Sequence, residues 1–73
     1  DGFTERLLCL NPKLNDVDIH VCYLLKLGIS PSEMAHIMVC QINTVSSIRK
    51  RLYKKIHGVE GTPGQLDRFI EEF

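Results

Sequence analysis

What the chain lacks narrows its chemistry first. Its three cysteines, Cys9, Cys22 and Cys40, are an odd number at wide spacing, with no C-x-x-C and no Cys/His ligand pattern. Zinc and a disulfide framework are therefore not expected, and a reducing, cytoplasmic setting fits best. His20, His36 and His57 have no cysteine or acid beside them in a pairing that points to catalysis, so each reads as a surface or half-buried side chain. There is no paired-carboxylate constellation, no Ser/His/Asp set and no phosphate-binding glycine loop, and neither an enzyme nor a cofactor is expected. No apolar run approaches the roughly 20 residues of a membrane span, and no signal-peptide pattern is present. Membrane contact is not expected. Internal repeats, low-complexity tracts and convincing strands are also missing.

What is present reads as one small all-α domain over residues 1–73, with four or five short helices around one core. The chain opens on Asp1 and reads as a piece of a longer protein. Its formal net charge is zero, yet the charge is segregated. Residues 49–57 hold five Lys/Arg and no acid, while the remainder holds four basic and nine acidic residues, giving +5 against −5. Segregation rather than the total makes an electrostatic footprint. The acidic remainder should hold a lone monomer to modest affinity.

Cap residues and apolar spacing place the helices. A lead-in helix over residues 1–12 carries Phe3, Leu7, Leu8 and Leu10, and Asn11-Pro12 ends it. Asn15 caps the next helix, with Asp16 and Asp18 at its positive end. Val17, Val21, Leu24 and Leu25 line one face, with Cys22 at the border, and Gly28 stops the helix in a left-handed cap. Ser30-Pro31-Ser32-Glu33 starts a third helix as a capping box with proline at its first position; Met34, Ala35 and Met38 form its face. Val39-Cys40-Gln41-Ile42 is a short apolar connection. A helix from about Asn43 to His57 follows, with Val45, Ile48, Leu52 and Ile56 on one stripe. Thr62-Pro63-Gly64-Gln65 repeats the cap logic for a C-terminal amphipathic helix over residues 62–73. Its stripe of Leu66, Phe69, Ile70 and Phe73 must be buried, either on the domain itself or in a homodimer contact.

The helix over residues 43–57 organises the rest. At about 100° per residue, Asn43, Ser46, Ser47, Lys50 and Lys54 fall on or near the side opposite the apolar stripe. Short polar side chains at the N-terminal end and cations further along suit a helix that approaches base edges and reaches phosphates. Residues 14–57 thus read as a helix-turn-helix core whose second helix meets double-stranded DNA in the major groove.

From Leu14 to Ile56 the sequence also resembles the LuxR-type (GerE-like) helix-turn-helix domain. The residues that carry the likeness, without a gap, are Leu14-Asn15, Asp18, Val21, Leu24-Leu25, Gly28, Ser30, Glu33-Met34-Ala35, Met38, Thr44-Val45, Leu52 and Lys55-Ile56. The resemblance implies a three-helix core related to winged-helix nucleic-acid-binding folds. It also implies an output domain of a bacterial transcription regulator, behind an upstream sensor or repeat region. By the same resemblance Ser46, Ser47 and Lys50 face the groove, Thr44, Arg49, Arg51 and Lys54 hold phosphates, and Glu33 packs the scaffold. Three residues depart from the pattern: Ser46 stands where a lysine is usual, Ile48 where a histidine is, and Gln41 where a capping serine is. Asn43 is expected to take over that cap. An alternative function for the same scaffold is a protein–protein interaction module, motivated by the zero net charge and the missing cation at Ser46.

Overall fold

Three of the helices begin where short polar side chains satisfy free backbone N–H groups. A computed structural model describes residues 2–73 and contains five helices, α1 (Phe3–Leu10), α2 (Asp16–Lys26), α3 (Pro31–Met38), α4 (Ile42–His57) and α5 (Pro63–Glu72), with no strand among the described residues. Asn15 accepts from the Asp18 N–H at 2.9 Å while the Asp18 carboxylate accepts from the Asn15 N–H at 3.2 Å, a reciprocal capping box. Thr62 and Gln65 do the same for α5, at 3.2 and 2.7 Å. At α3 the Ser30 hydroxyl accepts from the Glu33 N–H at 3.3 Å, and it donates to the Glu33 side chain itself, at 3.2 Å. The Glu33 carboxylate therefore holds the cap in place but leaves the Ser30 N–H alone.

The helix ends also follow the sequence. Gly28 turns left-handed at φ 81°, and the N–H groups of Gly28 and Ile29 return to the carbonyls of Leu25 and Leu24 at 3.0 Å each. Gly58 closes α4 the same way at φ 77°. The three-residue connection Val39-Cys40-Gln41 joins α3 to α4, and these two helices pack on each other.

One core holds the helices together. Phe3 and Leu7 of α1 meet Val21, Cys22, Leu24 and Leu25 of α2, Met34 of α3, Val45, Ile48 and Leu52 of α4, and Leu66 and Ile70 of α5. Leu14 enters the same core from the α1–α2 connection. On α2 the buried face is rotated from the expected one. Val17 is exposed, and Asp18 sits in the middle of the buried face at 1% exposure. Cys22 is fully buried, and Cys40 packs half-buried against the core.

The C-terminal stripe is used inside the molecule. Leu66 and Ile70 are fully buried. Phe69 and Phe73 join a row of rings that runs from Tyr53 through His57 to Phe69, Phe73, Phe3 and Tyr23, with successive centroids 4.3–6.1 Å apart. Arg6 lies over the Phe3 and Phe73 rings, 5.8 and 5.4 Å from their centroids. Of the two uses expected for the stripe Leu66, Phe69, Ile70 and Phe73, the domain's own core takes it, with α5 packed on α4 and α2 and Phe73 against Phe3 of α1.

Candidate nucleic-acid interface

The longest helix carries the most cations. Within α4 the stripe Val45, Ile48 and Leu52 is buried, and Ile56 packs half-buried beside it. The opposite side is open: Asn43, Thr44, Ser47, Lys50, Arg51 and Lys54 are all exposed, and Ser46 is half-buried at the border. One continuous face thus runs from hydroxyl and amide groups near the start of the helix to three cations further along. Lys50, Arg51 and Lys54 make no ion pair among the described residues.

The other two cations of the helix turn inward. Arg49 is only 6% exposed, and its guanidinium grips Asp67 of α5 with two parallel bonds. The Nε–Oδ1 bond is 3.0 Å, and the second joins Nη2 to Oδ2. Phosphate holding, expected of Arg49, is corrected here: its side chain is a tie between α4 and α5. Lys55 donates from Nζ to the Asp18 carboxylate at 2.6 Å. The Lys55 carbonyl accepts from the Asn11 side chain at 2.8 Å. Asp18 thereby serves two partners, the N-terminal cap of α2 and the far end of α4.

The start of α4 also differs from expectation. Gln41 is the N-cap residue, extended at φ −83° and ψ 153°, and its side chain makes no cap bond. Asn43 lies inside the first turn with its side chain exposed, so it does not take over the cap. The helix begins at Ile42, one residue earlier than the polar pattern placed it.

Past the other end of α4 the chain folds back over the helix. Gly61 stands so close to the Tyr53 ring that a Cβ there would collide with it. This close approach sets the loop beside the exposed cations, where Lys50, Arg51, Lys54, Glu60 and Gly61 line a recess of about 220 Å³. Glu60 adds one carboxylate to the edge of an otherwise cationic surface.

Asp18, Asp67 and Glu60 were not among the expected site residues, although together they set the charge that α4 presents. Only Asp18 left a local signal, its place three residues after Asn15. Burial pushes the Cys22 thiol up to about 12, and the nearby Asp18 carboxylate adds to the effect. No helix among the described residues is long and apolar enough to cross a membrane. Comparison with protein-family models, curated proteins and solved structures returned no match.

Proposed function

We propose that this domain binds duplex DNA through the exposed face of α4, with α3 and α4 acting as a helix-turn-helix and the domain serving as the output of a transcription regulator. The observation that carries the reading is the sorting of α4's side chains. Every apolar residue of its stripe and two of its five cations turn inward, while Lys50, Arg51 and Lys54 stay outside with Asn43, Thr44 and Ser47. A helix that presents short hydrogen-bonding groups toward its N-terminal end and free cations along its flank suits base edges and phosphates respectively. The LuxR-type pattern of the sequence supports the same reading. In this scheme Ser47 and Lys50 meet bases, with Ser46 at the edge of the groove, and Thr44, Arg51 and Lys54 hold the backbone.

The test is fluorescence anisotropy of a labelled mixed-sequence duplex. The native domain should bind at low salt, and a Lys50→Ala/Lys54→Ala variant should bind far more weakly. Equal binding by the two proteins would overturn the assignment. A protein-interaction role is the second reading, and the exposed apolar side chains Leu27, Ile37 and Val39 favour it. Duplex-independent, salt-insensitive binding to a protein partner would decide for it.

A further inference from the structure

The connection into α4 holds a residue in a conformation that stability does not favour. Val39 is left-handed, at φ 52° and ψ 55°, and 90% exposed. Its N–H and that of Cys40 return to the carbonyls of His36 and Ala35 at 3.3 and 3.0 Å, the closure that glycine usually makes after a helix. Glycine does fill the left-handed position after α2 and after α4. A β-branched residue there strains its backbone, and a side chain so exposed recovers little of the cost by burial.

Three residues later Ile42 opens α4, and it is 48% exposed. Ile42 heads the row Ile42, Ser46, Lys50, Lys54, each four residues from the last, which winds from the border of the exposed face to its middle. The row runs from apolar through a small hydroxyl to two cations. Helical side chains lean toward the N-terminus, and Ile42 is the first residue of α4, three positions after Val39. The apolar tip thus begins the row that leads to the cations, and those cations complement a polyanion. On a duplex, the apolar group exposed in the major groove is the C5-methyl of thymine.

We propose that Val39 and Ile42 are specificity determinants, an apolar tip that recognises thymine methyl groups in the duplex engaged by α4. This rests on the DNA-binding reading of α4. The experiment starts from a site selected by the native domain from a randomised duplex pool. That site is then synthesised with thymine and with uracil, which lacks only the methyl group. Affinity should fall about fourfold for each contacted methyl removed. A Val39→Gly/Ile42→Ala variant, verified as folded by its helical circular dichroism, should bind the two duplexes alike. Lys50→Ala should weaken binding to both and keep their ratio. Equal binding of the thymine and uracil sites by the native domain would overturn the proposal, and so would a double variant that keeps the ratio or a selected site without thymine. In those outcomes salt-dependent duplex binding persists and the DNA reading stands. Absence of binding to every duplex at low salt would instead remove the DNA reading together with this inference.

Discussion

The two inward ion pairs make a quantitative statement about how salt should act on the proposed DNA complex. A protein that neutralises Z phosphates has an affinity that falls with log salt at a slope of about −0.9Z. Counting every cation of α4 gives five and a slope of about −4.5. Arg49 is held by Asp67 and Lys55 by Asp18, and with Lys50 at the bases this leaves Arg51 and Lys54 for the backbone. The slope from α4 is then about −1.8, so affinity should fall about 12-fold between about 50 and 200 mM salt, where five contacts would give about 500-fold. Anisotropy titrations across that range measure the slope directly. The response to substitution is the sharper test. Arg51→Ala and Lys54→Ala each remove a phosphate contact and should flatten the slope by about 0.9, whereas Lys50→Ala should cost affinity on preferred sites. Arg49→Met combined with Asp67→Asn removes the internal pair without leaving either charge alone, and it should leave the slope where it was. If that double variant flattens the slope as Arg51→Ala does, Arg49 reaches the phosphates and the reasoning fails.

The remaining predictions concern the scaffold. Asp18→Ala removes the carboxylate half of the α2 capping box and leaves the Lys55 ammonium, with its side chain only 29% exposed, without its carboxylate; urea unfolding should show a loss of about 3 kcal/mol, and a loss below about 1 would deny the pair a structural role. Burial holds the Cys22 thiol at about 12 when folded against an ordinary 9.0, so the folded state keeps a proton that the unfolded chain gives up. Stability from this group is full below pH 9 and declines between 9 and 12, by about 1.4 kcal/mol per pH unit. The stability difference between native protein and Cys22→Ala should shrink or invert over that window, and parallel pH curves would refute the assignment. Val39→Gly relieves a left-handed valine and should raise stability by about 0.5–1 kcal/mol, net of the entropy that glycine adds to the unfolded chain; a lower melting temperature would show that the valine is not strained.

Local signals carried most of the fold. Asn15, Ser30 and Thr62 each cap the helix expected of them, because a cap and its target N–H are three residues apart and both lie within the readable window. The misjudged positions depend on distant partners. Asp18 projects onto the same face as Val21, Cys22 and Leu25, yet a carboxylate is not expected in a core until its cation is known, and Lys55 lies 37 residues away. Arg49 follows Val45 by four residues and so projects onto the core side of α4, and its helical position alone would have kept it from the phosphates. Its partner Asp67 comes 18 residues later, in a helix whose packing no local pattern states. The α5 stripe was legible as apolar, but its choice between a dimer and the domain's own core depended on where α1, α2 and α4 leave room.

The two ion pairs do more than subtract charge from the surface. A helix packed by an apolar stripe alone can roll about its axis at little cost, since dispersion and burial are nearly directionless. Around α4, Arg49 and Lys55 lie about 60° to either side of Leu52. Arg49 is tied to α5 by a two-point grip, and Lys55 to the start of α2 by a single short bond. Rolling the helix in either direction would stretch one tie and bury the other cation further, and unpaired buried charge is costly. The pairs therefore fix which residues face outward. Lys54 stands nearly opposite Leu52, at about 160°, with Ser47, Lys50 and Asn43 near it. Reading base edges needs orientation held to a small angle, whereas attraction to phosphates does not. On the proposed function, the domain gives up two of its five α4 cations as DNA ligands to hold the other three, and the polar groups beside them, at one rotation.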